Sequence, residues 1–285
     1  MPSLIDIRRR IRSVKSTQQI TKAMKMVSAA KLRRAQDRVM SARPYAAMLR
    51  EVLSNVAAAA PAGEEGVSPL LAPKPENRVQ VILLTSDRGL AGAFNTNLIR
   101  AAQGFATERA TATVEFEAIG RKGRDFFARR AWKLTGEHLG VLSKPAYADA
   151  AAIGQKVAQR MLNDEIDAVY LIYNEFKSVI SQKLTVNRIL PVAAPAESSV
   201  VDYIYEQPPA ELLATLLPKY VEVQIYTAMI ETAAAEHAAR MTAMDSASSN
   251  AADMIERLTL YMNRVRQASI TREIIEVVSG ASALE

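Results

Sequence analysis

Residues 4–53 read LIDIRRRIRSVKSTQQITKAMKMVSAAKLRRAQDRVMSARPYAAMLREVL, and their spacing decides the architecture. Residues 4–60 hold no glycine, and their one proline is Pro44. Every seventh residue from Leu4 gives Leu4, Ile11, Gln18, Lys25, Leu32, Val39, Ala46 and Leu53. The companion series is Ile7, Val14, Thr21, Ser28, Ala35, Ala42, Leu49 and Val56. Twelve of these sixteen positions are apolar, as the two seam positions of a coiled coil require. The polar four, Gln18, Thr21, Lys25 and Ser28, cluster together. There the apolar stripe is expected to move to Ile20, Met24 and Val27, as a local register shift would produce. A helix over this span runs about 80 Å, far beyond the needs of a globular domain. It requires a partner helix.

The other end of the chain supplies one. Pro208 and Pro209 suit a helix start, and a helical pattern follows over residues 210–279. Seam positions Leu216, Val223, Ile230, His237, Met244, Ala251, Leu258 and Val265 interleave with Tyr220, Thr227, Ala234, Met241, Ser248, Ile255 and Met262. Pro218 is expected to kink this helix or delay its start. The favoured arrangement is a long antiparallel coiled coil of the N- and C-terminal helices.

Residues 77–190 follow a different rule. Apolar, β-rich runs at 78–85, 112–119, 167–173 and 183–190 alternate with helical patterns at 94–109, 121–130 and 148–163. That alternation predicts a Rossmann-like α/β domain with a largely parallel sheet. Residues 61–77 and 191–209 read as linkers. The expected fold class is therefore α plus α/β: a helix over 1–60, an inserted domain over 77–190 and a second helix over 208–285.

Composition narrows the chemistry. The 285 residues contain no cysteine, which removes disulfides, thiolate metal sites and cysteine nucleophiles. The two histidines, His138 and His237, are too few for a His-rich metal centre. No apolar run reaches the ~18 residues of a membrane span, and MPSLIDIRRR lacks the apolar core of a secretory signal. A soluble, cytosolic protein is expected. The net charge of +6 is unevenly spread, with a local +10 over residues 1–60 and −5 over 206–285. Such segments attract each other when side by side, and the surplus positive charge faces something anionic.

The turn SDRGLAGAFN, residues 86–95, sits where α/β proteins hold phosphates. Gly89 and Gly92 are three apart and Ala93-Phe94 stands in place of Lys-Ser, so neither a P-loop nor a dinucleotide fingerprint is present. The expectation is a tight strand-to-helix turn, with Asp87 or Asn95 satisfying free backbone N–H groups. Gly120-Arg121-Lys122-Gly123 is equally short of a motif. His138 reads as part of a loop, and His237 as a packed polar residue in a helical seam. Asp164, Glu165, Glu115 and Glu117 read as solvated edges. Methionines 24, 26, 241, 244, 254 and 262 recur at helical spacing and suit coiled-coil packing. No catalytic, cofactor-binding or metal-ligating residue is assigned. The basic N-terminus raises an alternative, a coiled-coil scaffold binding nucleic acid or a membrane surface. Residues 1–60 carry a single aromatic, Tyr45, which leaves no base-stacking platform.

Three long stretches, IRRRIRSVKSTQQITKAMKMVSAAKLRRAQ, SDRGLAGAFN and RQASITREIIEVVSGASAL, closely resemble the γ subunits of F-type ATP synthases, in order along the whole chain. The resemblance implies a rotor shaft without catalytic sites or cofactors of its own. Its coiled coil would turn inside an α3β3 hexamer, and its foot would rest on the c-subunit ring beside the ε subunit. Proton or sodium flow would drive the rotation and so ATP synthesis. By position, Lys22, Met24 and Lys25, within Lys22-Ala23-Met24-Lys25-Met26, resemble the stretch passing an acidic β-subunit loop. Arg240, Gln267, Thr271 and Glu273 match positions that contact β or support that contact. Tyr203, Tyr205 and Glu206 resemble the foot facing the ring and ε. The implied location is the cytoplasmic face of a bacterial inner membrane. The cysteine-bearing insertion of the chloroplast type is missing and no transit peptide is seen, so a non-photosynthetic bacterial source is expected.

Overall fold

A computed structural model describes residues 3–59, 68–130, 132–192 and 207–282. Eleven elements follow in order, two of them far longer than the rest: α1 (Leu4–Ala59), β1 (Arg78–Leu84), α2 (Phe94–Glu108), β2 (Thr113–Ile119), α3 (Arg121–Ala128), β3 (Lys133–His138), a 3-10 turn (Val141–Ser143), α4 (Tyr147–Leu162), β4 (Ala168–Phe176), β5 (Gln182–Leu190) and α5 (Pro209–Ser282). By compactness the chain falls into two units. Of the described residues, those up to Ser28 and from Met241 onward form one, and Ala29–Arg240 the other.

In the larger unit the five strands lie in the order β3-β2-β1-β4-β5. The pairs β1–β2, β1–β4 and β2–β3 are parallel, and β4–β5 is antiparallel. A parallel sheet needs helices on both faces, so its central strands are apolar on both sides. Strand β1 shows this directly. Val79, Val81 and Leu83 pack with Phe94, Leu98, Phe116 and Phe127 from the α2/α3 side. Ile82 and Leu84 pack with Ile153 and Val157 of α4, Leu53 and Val56 of α1, and Leu217, Val221 and Ile225 of α5. The segments of α1 and α5 that belong to this unit thus form part of its core.

Two glycines are fixed by close approach. Gly120 has φ +99° and a Cβ there would lie 1.8 Å from the Thr85 carbonyl oxygen, a separation no side chain tolerates. Gly154 of α4 leaves room for α5, since its Cβ would meet Glu222 Cγ at 3.0 Å and Cα at 3.1 Å.

Several expectations need correction. Residues 133–138 form a strand although KLTGEH carries no apolar alternation; pairing with β2 makes it. His138 therefore ends a strand rather than lying in a loop. Of the two outcomes expected for Pro218, a delayed start is excluded: α5 starts at Pro209 and continues through it. Leu213, Leu217 and Val221 are buried on either side of that proline, and their packing offsets the ~3 kcal/mol that an interior proline costs a helix.

In the smaller unit α1 and α5 run antiparallel. Gln18 donates to the Ser248 carbonyl (3.4 Å), the Thr21 and Ser248 hydroxyls pair at 2.7 Å, and Lys25 reaches Asp245 at 2.6 Å. The stripe does not move to Ile20, Met24 and Val27: Ile20 and Val27 are exposed, and Thr21 and Ser28 are buried. The register is kept. Small hydroxyls occupy the seam because they satisfy one another and, in the case of Ser248, the Met244 carbonyl one turn back. No helix among the described residues is long and apolar enough to cross a membrane.

Candidate functional site

The fold divides the candidate residues that the structure describes into three groups. On α1, Lys22 is exposed, Met24 is half-buried, and the Lys25 ammonium is tied to Asp245 of its own chain. Both members of that ion pair remain substantially solvated, so it contributes at most about 1 kcal/mol.

Gln267, Thr271 and Glu273 are exposed on α5. Thr271 donates to the Gln267 carbonyl at 3.0 Å, and Ser269 to Glu273 at 3.2 Å. Extrapolating the Thr21–Ser248 pairing puts Leu4 opposite about residue 265. Beyond that point α5 has no α1 residue facing it, and Ile270, Ile274, Ile275, Val277 and Val278 are all exposed. Contiguous exposed apolar residues at a helix end mark an interaction surface. Gln267 lies roughly 30 Å along the helix from the level of Lys25, so the structure presents two separate surfaces rather than one constellation.

Arg240 is the third group, and it is not a free surface cation. Only 8% exposed, its guanidinium pairs with Glu236 at 2.6 Å and donates to the carbonyls of Arg88 and Gly89 at 3.3–3.4 Å. It braces the turn after β1. Around it, the Ser86 amide donates to Asn95 Oδ1 (2.9 Å), and the amides of Arg121 and Gly140 donate to the Asp87 carboxylate at 3.0 and 3.1 Å. The Gly123 amide donates to Thr85 Oγ1 at 2.8 Å. Both Asp87 and Asn95 thus take the role read for them, and these amides are engaged within the chain. The brace holds Leu90 at φ +63°, a left-handed conformation that costs a leucine on the order of 1 kcal/mol. Leu90 is nonetheless 63% exposed.

Two titratable groups flank the brace, Glu236 buried and His237 half-buried. Burial pushes the Glu236 carboxyl up against the opposing pull of Arg240. His237 goes down to about 4, through burial first and then the nearby Arg240 and Lys31 charges, and its Nδ1 has no partner. It is a packed neutral imidazole, as its seam position suggests.

One polar cluster departs from the sequence reading. Glu115 and Glu117 are buried, not solvated: alternation along β2 points them at α4 instead of at water. Glu117 accepts from Gln80 (2.5 Å), His138 (2.9 Å) and Lys156 (3.0 Å). Glu115 accepts from Arg160 at 2.8 Å and pairs with Lys133. Burial raises the proton affinity of both carboxyls, but the hydrogen bonds outweigh it and hold them below their usual range. The available signal is Lys156 and Arg160, one turn apart on α4. Asp164 and Glu165 do lie at an exposed edge, paired with Lys74 and Arg160. Tyr203, Tyr205 and Glu206 lie outside the described residues.

A family model described as ATP synthase matches residues 3–284. The chain is similar to the ATP synthase gamma chain of Solibacter usitatus (strain Ellin6076), 64% identical over 286 residues, with all of both chains covered. It is also similar to that of Anaeromyxobacter sp. (strain Fw109-5), 51% identical over 290 residues, again with all of both chains covered. Among solved structures, it resembles a chain of the Tetrahymena thermophila mitochondrial ATP synthase central stalk and c-ring. That match has 26% identity and a TM-score of 0.62, covering 80% of this chain and 99% of that one. A chain of the Euglena gracilis mitochondrial ATP synthase, OSCP/F1/c-ring in rotational state 3, matches in fold alone. It is 19% identical with a TM-score of 0.70, covering 99% of this chain and 94% of that one.

Proposed function

The chain belongs to the family of ATP synthase gamma chains, and from that premise we propose how its geometry works. It is the central rotor stalk of the F1 sector, coupling ion flow through a membrane ring to ATP synthesis. Its partners are the α and β subunits, the ε subunit and the c-ring. The observation that carries this reading is the 64% identity to a gamma chain sustained over the entire length.

The chain performs no catalytic step itself, and ATP is made on β subunits. The complex sits on the cytoplasmic face of a bacterial plasma membrane, with protons as the coupling ion. Residues 1–60, 77–190 and 208–285 serve as shaft helix, inserted domain and second shaft helix. The exposed run of α5 beyond residue 266 forms one bearing, with Gln267, Thr271 and Glu273 providing polar contacts among the apolar ones. Lys22, Met24 and Lys25 form a second, basic bearing that meets acidic β-subunit residues. Arg240 acts through the turn it braces, supporting a contact rather than making one. Tyr203, Tyr205 and Glu206 are the foot toward the ring and ε.

A shaft of this kind works by differential contact. Whichever β conformation binds its facing surface better gains population, and a face with equal affinity for all conformations would shift none. Lopsidedness is therefore the functional property. Mixing the purified chain with α and β subunits tests the reading: one copy should assemble per three α and three β. ATP hydrolysis by the chain alone, or failure to join the hexamer, would overturn it.

A further inference from the structure

Glu231 of α5 is an ionisable group that neither bearing uses. It is 4% exposed, and it sits where α1, α5 and the end of β4 meet. Its Oε1 accepts from Arg43 of α1 at 3.2–3.3 Å, and its Oε2 has no well-formed hydrogen bond among the described residues. The same Arg43 guanidinium donates to the Phe176 carbonyl at 2.7 Å. Phe176 is the last residue of β4 and pairs with Gln182 across the β4–β5 hairpin. Beyond it the connection is held by the Ser178 amide donating to the Ser181 carbonyl (3.0 Å), and Ile180 projects into solvent. One arginine and one half-satisfied carboxylate thus fasten the base of this edge hairpin to both long helices.

We propose that Glu231 is a proton-controlled clasp: a proton taken up on its unpartnered Oε2 tightens the hold of α1 and α5 on the base of the β4–β5 hairpin. An ionised carboxylate with one oxygen unsatisfied in a buried site is costly. Opening the hairpin base relieves that cost by admitting water. Neutralising the carboxyl removes the cost while Arg43 keeps its bond to Phe176. The surrounding charges are Arg43 and Arg50 from α1, and Glu175 with the Tyr173 hydroxyl from β4. Burial raises the proton affinity of Glu231 and Glu175 adds to it, while Arg43 and, more weakly, the backbone amide of Phe176 oppose it; the balance lies on the side of the proton. Linkage fixes the sign: the closed base binds the proton more tightly than the open one, so acidification favours closure and rising pH favours opening. This device is a property of the fold and stands independently of the rotor reading.

Hydrogen exchange of the full-length chain from pH 8.5 down to 4.5, corrected for the intrinsic pH dependence of exchange, tests it. Protection of amides 174–184 should rise severalfold as pH falls. Glu231→Gln, which fixes the neutral state, should be at least as protected as the parent at pH 8.5 and nearly flat with pH. Arg43→Gln keeps a donor for Phe176 but removes the cation, and should move the transition to higher pH. Protection that rises with pH in the parent, a Glu231→Gln slope equal to the parent's, or an unmoved transition in Arg43→Gln would each overturn the proposal. If Glu231→Gln does not fold, the parent and Arg43→Gln profiles decide it.

Discussion

Arg240 shows how a single side chain serves two elements: its guanidinium offsets buried Glu236 and closes the carbonyls of Arg88 and Gly89. Arg240→Ala removes the cation from a buried pair, so unfolding experiments should register a loss of about 3–5 kcal/mol. Arg240→Lys keeps the charge but loses the planar fork, and should recover part of the stability with less of the order in the turn. His237 makes a pH prediction. Its folded value near 4 lies below the ordinary 6.5. The neutral imidazole therefore supports the fold fully above pH 6.5, and that support is lost as pH falls through 4. Its contribution is at most about 3 kcal/mol. His237→Leu should flatten the decline of melting temperature over that interval. An equally steep decline would show that other groups govern it. Glu117 runs in the usual carboxylate sense: its hydrogen bonds hold its proton affinity down, so its support persists above the ordinary carboxylate range and fades in stronger acid. Lys156→Met, which strips one of its donors, should destabilise the α/β unit by about 2–3 kcal/mol in denaturant titration.

Elements report how sequence maps to fold. The two long helices are legible because few structures besides a coiled coil sustain a seven-residue apolar repeat over so many heptads. The parallel sheet is legible because strands β1, β2 and β4 are apolar in runs. Strand β3 is not, since KLTGEH gains its strand character from a neighbour rather than from its own side chains. The Glu115/Glu117 cluster is hidden for a related reason: alternation tells which residues share a face, but not that α4 covers it. The seam around Thr21 and Ser248 escapes a count of apolar residues, because paired hydroxyls hold the contact line in place there. Ser248→Leu should overpack that seam and cost about 1–3 kcal/mol, while Ser248→Ala should cost about 1 kcal/mol. Gly120→Ala should be worse than either, above roughly 3 kcal/mol, because its Cβ meets backbone 1.8 Å away. The exposure of Lys22, Gln267, Thr271 and Glu273 is legible in the sequence, since all four lie off the seam positions. The burial of Arg240 is not, because it depends on a turn 151 residues away.

At the scale of the molecule, stability and coupling must be separated. Lys25→Glu places like charge against Asp245 within the chain as well as against the proposed acidic surface of the β subunit. Adding Asp245→Lys restores the internal pair with its signs exchanged. Coupling of ATP hydrolysis to proton pumping should remain impaired in this double variant. Full recovery would assign the effect to the internal pair. Removing the last dozen residues should weaken coupling more than assembly, since Ile274, Ile275 and Val277 are exposed and belong to no core cluster among the described residues. The most direct measurement of the central claim fixes an α3β3 hexamer carrying this chain to a surface, with a probe attached at exposed Lys133 of the inserted domain. Addition of ATP should turn the probe in one direction, in steps. A probe that stays still while the same particles hydrolyse ATP would contradict a rotor.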